Sequence, residues 1–210
     1  VQAYAAADFS SGDQATIEAI QRLLSRTSPL PPDPLVVDLG CGPGNITLRL
    51  AALFPKARII GIDGAESMLA LARGRAQQQQ LKMSFHCQTL QEVLRGPLLG
   101  QADLVVSNSL LHHLHQPDLL WMVTRGLAAP GCRTLHRDLR RPASDAEIDQ
   151  LLLKHLPSAP KVLQNAFAAS LAAAFEPQEV TAELHRLDLN HLTVSAEDDR
   201  YLVVSGLVKS

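Results

Sequence analysis

The stretch VVDLGCGPGN, residues 36–45, places one acid and three regularly spaced glycines directly after an apolar run. Gly40, Gly42 and Gly44 allow the chain to turn sharply and bring backbone N–H groups against a ligand. The helix predicted to follow points the positive end of its dipole at the same place. The pattern therefore predicts a ligand site where a strand ends and a helix begins, with Asp38 close to it.

Two classes of ligand use such a turn, namely dinucleotides and S-adenosylmethionine. A dinucleotide site requires glycine at position 45, where this sequence has Asn45. It would also bring a pyrophosphate close to Asp38, and two negative charges repel each other. S-adenosylmethionine carries a sulfonium and an ammonium group and no phosphate, so a nearby carboxylate is compatible with it. The residues therefore favour the methyl donor.

Composition limits the remaining possibilities. The 210 residues are 46% hydrophobic and 19% charged, which is enough for one good core. The net charge of -2 gives no basic excess, so no nucleic-acid partner is expected. Cys41, Cys87 and Cys132 are widely spaced within apolar runs and predict reduced core thiols in a cytoplasmic protein. No apolar stretch reaches the roughly 18 residues of a transmembrane helix.

Short β-rich runs alternate with helical patterns along most of the chain, which is typical of a parallel sheet covered by helices. The predicted strands are residues 35–39, 57–62, 82–87, 102–107 and 132–137. Two or three helices are expected between 144 and 187, and an antiparallel hairpin turns at residues 196–200. The sequence therefore predicts an α/β fold: a doubly wound, mostly parallel sheet of seven strands that ends in an antiparallel hairpin.

Together with IIGIDGAESMLALAR and ADLVVSNSLLHHL, the opening stretch resembles the class I S-adenosylmethionine-dependent methyltransferases. The pattern is nearest to the small-molecule branch that includes the ubiquinone/menaquinone methyltransferase-like proteins, and it covers residues 35–137. The resemblance implies a Rossmann-like fold and S-adenosyl-L-methionine as cofactor. A single domain over 1–210 is expected, with amino-terminal cap helices (1–30), a donor-binding core (35–137), a helical lid (144–187) and a closing hairpin (188–209).

The donor-binding residues follow from the strand ends. Asp63 ends the second strand, where a doubly wound fold places a carboxylate over the ribose; the alternative is a cap for the next helix. Met68 packs either against adenine or in the core, and Gln88 stands where many relatives carry an acid. The expected set is Asp38, Gly40, Cys41, Gly42, Gly44, Asn45, Asp63, Gly64, Met68, Gln88, Thr89, Ser107, Asn108 and Ser109.

The histidines in SNSLLHHLHQPD are the candidate catalytic groups. His112 or His113 titrates near neutral pH and is suited to remove a proton from an acceptor hydroxyl or activated carbon. A purely structural role for either one is the alternative. Adjacent histidines on a short turn do not face one ion, and no carboxylate or cysteine completes a ligand set, so no metal is predicted.

Residues around the predicted crevice indicate what the acceptor is. An N-P-P-Y or D-P-P-Y motif is absent after the fourth strand, which favours oxygen, carbon or chalcogen nucleophiles over exocyclic amines. Tyr4 and Phe9 resemble an aromatic cap over the donor, although an ordinary hydrophobic anchor is an equal alternative. Asp138 and Arg140, followed by Arg141, leave the fifth strand where they would orient a polar or acidic acceptor, unless they form surface ion pairs.

The sequence therefore predicts an enzyme that transfers a methyl group to a small-molecule acceptor by in-line displacement. A non-catalytic regulatory protein that binds S-adenosylmethionine or S-adenosylhomocysteine is the first alternative. A nicotinamide-dependent oxidoreductase is the second alternative, which Asn45 disfavours.

Overall fold

The computed structural model describes residues 10–209. Its helices are α1 (Ser10–Ser25), α2 (Asn45–Leu53), α3 (Glu66–Gln78), α4 (Leu90–Val93), α5 (Asp118–Leu127), α6 (Asp145–His155), α7 (Lys161–Ala173) and α8 (Pro177–Arg186), with a 3₁₀ turn at Leu111–His113. Its strands are β1 (Leu35–Leu39), β2 (Arg58–Asp63), β3 (Ser84–Cys87), β4 (Ala102–Asn108), β5 (Ala128–Leu139), β6 (Thr193–Glu197) and β7 (Tyr201–Leu207). Each predicted strand is present, and β5 extends beyond its expected bounds at both ends.

The seven strands form one sheet in the order β3-β2-β1-β4-β5-β7-β6. Strands β1 to β5 are parallel, and β7 runs antiparallel to both β5 and β6. The predicted doubly wound sheet with a closing hairpin is therefore confirmed. Strand order reverses between β1 and β4, where Leu39 lies beside both Ile62 and Ser107. An open α/β sheet binds its ligands in the crevice at the carboxyl ends of the strands at such a point.

Both faces of the sheet are covered, which explains the near-continuous apolar strands. One face buries Leu39, Ile62 and Val105 against α5 and α8. The other face buries residues of the same strands, including Val36 and Leu104, against α1 and α2. Because side chains alternate along a strand, a single strand such as β1 supplies both clusters. The two clusters hold the strand ends rigidly enough to define a site.

The range 144–187, predicted to be a lid, divides into two parts. Helix α8 belongs to the main body, because Val180 and Leu184 are fully buried in the cluster beneath the sheet. Helices α6 and α7 pack on each other instead, and they share a smaller cluster with Leu139 at the end of β5. Helix α7 also contacts the 3₁₀ turn. Helices α6 and α7 are therefore the part of the predicted lid that lies outside the main body.

Helix α2 begins at Asn45, and its cap is Gly44, with φ of 84° and no side-chain cap bond. One expectation for the cysteines differs from the structure. Cys41 and Cys132 are buried free thiols as expected, but Cys87 is exposed because it lies at the end of the edge strand β3. In the part of the chain from 10 to 209, no helix combines the length and apolar character needed to cross a membrane.

Candidate functional site

A cavity of about 450 Å³ opens at the carboxyl ends of β1, β2 and β3 and beside the 3₁₀ turn. Volumes in this range hold small ligands and cofactors. Six of the predicted residues line it, namely Gly40, Asp63, Gly64, Gln88, Thr89 and His113. The apolar wall of the cavity consists of Ile62, Leu90, Leu110, Leu114 and Leu119, and none of these residues was predicted from the sequence. The leucine-rich stretch after the fourth strand could have indicated three of them.

The three glycines have different roles, although all three adopt positive φ. A Cβ on Gly40 would lie 2.6 Å from the Leu110 side chain, and one on Gly44 would lie 3.0 Å from Ala72 of α3. These two glycines therefore allow close packing. A Cβ on Gly42 would meet no atom within 4 Å. Gly42 is thus the glycine of this loop whose surroundings are open to a ligand.

Asp63 connects the glycine loop to the end of β2. Its Oδ2 accepts a hydrogen bond from the Gly42 N–H at 2.8 Å, and its Oδ1 accepts from the Ala65 N–H at 2.8 Å. The residue still lines the cavity and is only half-buried. A carboxylate has about four acceptor positions, so positions remain for ribose hydroxyls. The two interpretations of Asp63, ribose acceptor and local turn stabiliser, are therefore compatible.

Asp38 lies beneath the loop and does not line the cavity. Its Oδ2 accepts a hydrogen bond from the Thr47 hydroxyl of α2 at 2.6 Å. Burial raises the pKa of Asp38 to about 7, with smaller contributions from the negative charges of Asp63 and Asp13, while the Thr47 hydrogen bond opposes the rise. Asp38 consequently carries only part of its negative charge near neutral pH, and it acts on the site through the position of α2.

Of four other predicted donor-binding residues, only Thr89 lines the cavity. The Cys41 thiol is buried, which raises its pKa, and Met68 is half-buried on α3. The Asn45 side-chain oxygen accepts a hydrogen bond from Arg75 at 2.8 Å. The Thr89 hydroxyl belongs to the capping box of α4 with Glu92.

The polar residues at the end of β4 and directly after it form hydrogen bonds with their surroundings. The buried Ser107 hydroxyl lies 2.8 Å from Nδ1 of His136, whose pKa burial lowers to about 3, so this ring is neutral. The Asn108 amide oxygen accepts from Thr16 of α1 at 2.7 Å. Ser109 adopts a left-handed φ of 57° and its N–H donates to the Arg137 carbonyl at 2.9 Å. These contacts place α1 and β5 beside the end of β4.

His112 and His113 occupy different environments. His112 is buried, and its Nδ1 lies 2.6 Å from Oδ1 of Asp138. The same carboxylate accepts from the Leu111 N–H at 2.6 Å. His113 lines the cavity, and burial together with the neighbouring His112 lowers its pKa. Asp138 therefore orients the 3₁₀ turn, and His113 is the histidine of the pair that lines the cavity.

The residues predicted to contact the acceptor are only partly brought together. Tyr4 and Phe9 lie outside the described residues. Arg140 extends toward the β6–β7 turn, where its Nη2 donates to the Asp199 carbonyl at 3.2 Å. Arg141 forms ion pairs with Glu176 and Glu179, which is the surface alternative considered for this segment. Asp138 binds the 3₁₀ turn and does not line the cavity.

The cavity fits S-adenosylmethionine on several grounds. The open Gly42 backbone and the amino end of α2 can approach the methionine part, and Asp63 can accept from the ribose hydroxyls. Gln88 can both donate to and accept from the adenine edge. Leu90, Leu110 and Leu114 supply the apolar surface that an adenine ring requires.

We expect Gly42→Ala to weaken binding of S-adenosylhomocysteine at least tenfold, because the new methyl group occupies the open face of the loop. Gly100→Ala is the matched control, since Gly100 has a φ of 70° and open surroundings but lies outside the glycine loop. Both variants should lose about 1 kcal/mol of stability from left-handed strain. Calorimetric titration and thermal unfolding separate the two effects, and equal affinities in the two variants would contradict this role of Gly42.

The pKa of Asp38 predicts a pH dependence of stability. Because the folded state raises this pKa to about 7, the folded chain binds the proton more tightly than the unfolded chain does. The free energy of unfolding should therefore decrease as pH rises from about 4 to about 7, by about 4 kcal/mol from this group. Urea unfolding of Asp38→Asn should lack this component. An unchanged difference between pH 5 and pH 7 in the variant would exclude Asp38 as its source.

Comparison with known proteins agrees with this geometry. A family model described as a methyltransferase domain matches residues 36–131. The chain is 53% identical over 110 residues to trans-aconitate 2-methyltransferase of Variovorax paradoxus, covering 52% of this chain and 39% of that protein. It is 38% identical over 80 residues to malonyl-[acyl-carrier protein] O-methyltransferase of Bacillus cereus, covering 38% and 28%. The chain thus spans less than half the length of these two curated relatives.

The fold has close counterparts among solved structures. The plantazolicin methyltransferase BpumL, solved in complex with a triazolic desmethylPZN analog and SAH, aligns with a TM-score of 0.69 at 15% identity. The alignment covers 95% of this chain and 84% of that one. Similarity at this level of identity concerns the fold. The matched domain, the seven-stranded sheet and the glycine loop together support a class I S-adenosylmethionine-dependent methyltransferase, whose cofactor is S-adenosylmethionine.

Proposed function

We propose that this chain transfers the methyl group of S-adenosylmethionine to a carboxylate oxygen of a small organic acid. The proposal rests on one observation: Gly40, Asp63 and His113 line the same cavity at the strand ends. The acid is suggested by the relatives, which are named for trans-aconitate and for a malonyl group on a carrier protein. The sequence left oxygen, carbon and chalcogen acceptors open, and the names of these relatives favour an oxygen acceptor.

The residues of the site perform binding and positioning. When bound, S-adenosylmethionine supplies an activated methyl group on a sulfonium. Asp63 holds the ribose while its bond to Gly42 keeps the loop in place. Asp38 lies beneath the same loop and accepts a hydrogen bond from Thr47, which holds the start of α2 in place. Helices α6 and α7 exclude water from the crevice, which strengthens each of these electrostatic interactions.

A carboxylate acceptor changes the expected role of the histidines. Carboxylic acids titrate near pH 4, so the acceptor is already ionised at neutral pH and needs no general base. His112, held at 2.6 Å from Asp138, then shapes the crevice. His113 contributes one side of the cavity and, because its pKa is lowered, adds little positive charge. The free thiols Cys41, Cys87 and Cys132 support the cytoplasm as the compartment.

The direct test is turnover. The chain should convert S-adenosylmethionine to S-adenosylhomocysteine in the presence of trans-aconitate or a malonyl thioester, with a methyl ester detected by mass spectrometry. Asp63→Ala should reduce turnover by lowering donor affinity, and NAD should neither bind nor support a reaction. Tight binding of S-adenosylhomocysteine without methyl ester formation from any acid would instead support a regulatory protein.

The histidines provide a second test. His112→Ala and His113→Ala should each lower turnover less than tenfold, with pH profiles parallel to that of the unmodified chain, because no proton is removed from a carboxylate. His185→Ala, on the exposed surface of α8, is the matched control. A general base would instead cost about a hundredfold to ten-thousandfold and flatten the acidic limb of the profile. That outcome would show that the acceptor is a hydroxyl or carbon acid.

A further inference from the structure

Within residues 10–209, every buried side-chain nitrogen or oxygen atom without a hydrogen-bond partner belongs to one cluster of arginines at the end of β5. The three atoms are Nη1 of Arg137, Nε of Arg140 and Nε of Arg200. Burying a polar group without a partner is unfavourable, and charged groups are the most costly. Three such atoms gathered at one place indicate that a hydrogen-bond acceptor belongs there.

Tyr201 lies at the centre of this arginine cluster. The Arg137 guanidinium stacks 3.5 Å from the centroid of its ring, and the Arg200 guanidinium lies 5.2 Å from the same centroid. Arg200 also lies 5.8 Å from the ring of Phe167 on α7. Aromatic faces hold guanidinium groups in place without using their N–H donors. The aromatic rings therefore position Arg137 and Arg200 without using their N–H donors.

The cluster carries more positive charge than its neighbours neutralise. Arg137 is paired with Glu197 at 2.8 Å and with Asp198 at 3.0 Å. Arg140 and Arg200 have no carboxylate partner within the described part of the chain. The nearby Asp199 carboxylate is already bound by Lys154 and His155. Two arginines are therefore available to an anionic ligand.

The position of the cluster connects it to the crevice. Arg137 directly precedes Asp138, and Arg140 follows it by two residues. Asp138 is hydrogen-bonded to His112 and so positions the 3₁₀ turn, whose His113 lines the cavity. The Arg137 carbonyl accepts from Ser109 at the end of β4. Phe167 belongs to α7, which also contacts the 3₁₀ turn. The arginine cluster thus lies at the carboxyl end of β5, next to α7, which contacts the 3₁₀ turn.

We infer that Arg140 and Arg200, supported by Arg137 and Tyr201, bind a second carboxylate of the acceptor, one that is not methylated. The inference rests on the proposed function and adds that the substrate is a free di- or tricarboxylic acid. A guanidinium and a carboxylate match in charge and in their paired donors and acceptors. A second anchor of this kind turns the acceptor so that its other carboxylate faces the donor cavity.

Equilibrium binding tests this assignment without requiring turnover. We would titrate butyrate, glutarate and propane-1,2,3-tricarboxylate into the chain saturated with S-adenosylhomocysteine. The polycarboxylates should bind at least tenfold more tightly than butyrate. Arg140→Gln and Arg200→Gln should each weaken the polycarboxylates about tenfold to a hundredfold and leave butyrate unchanged. Arg58→Gln, an exposed arginine at the opposite end of the sheet, is the matched control and should change neither affinity.

The outcomes separate this inference from the proposed function. Glutarate and butyrate of equal affinity, or Gln variants that bind tricarboxylate normally, would overturn the arginine assignment even if methyl esters still form. Tight tricarboxylate binding that depends on Arg140 and Arg200, without methyl ester formation, would support the arginines and overturn the proposed reaction. Thermal unfolding and normal S-adenosylhomocysteine affinity verify that each variant remains folded, so a loss confined to polycarboxylates is attributable to the arginines.

Discussion

The hydrogen bonds that the N–H groups of Gly42 and Ala65 donate to the Asp63 carboxylate are the interaction on which the candidate donor site depends. They join the ends of two adjacent parallel strands, β1 and β2, and hold the glycine loop against the start of α3. Gly40 and Gly44 make this possible, because each packs against a side chain where a Cβ would collide or crowd. Gly42 can then face outward without being mobile, which lowers the entropy lost when a ligand binds.

A second carboxylate, Asp138, has the corresponding role on the other side of the strand-order reversal. It accepts from the Leu111 N–H and from Nδ1 of His112, and so fixes the turn after β4 to the end of β5. This bond explains why a histidine suited to general base catalysis is buried instead of facing the cavity. The acid and the ring satisfy each other, and a buried pair that loses one partner leaves an unpaired polar group.

The two sides of the crevice differ in electrostatic character. Asp63 lines the cavity at the ends of β1, β2 and β3, and its carboxylate suits a ligand carrying sulfonium and ammonium groups. Around the end of β5 lie three arginines, which under the proposed function would suit an anionic acceptor. Oppositely charged substrates would thereby approach opposite sides of one opening. His113 lines the cavity, and its lowered pKa reduces the positive charge there.

By itself, the sequence determined the fold class and the order of the strands along the chain, because alternating apolar runs are local patterns, and its glycine loop predicted where the donor binds. Only the tertiary structure decided that Gly42 is the open glycine, that α8 packs beneath the sheet, and that Arg200 joins Arg137 and Arg140. Those facts depend on which strands become neighbours: β7 inserts between β5 and β6 and brings residue 200 beside residue 140. Such long-range contacts leave no periodic pattern in the sequence.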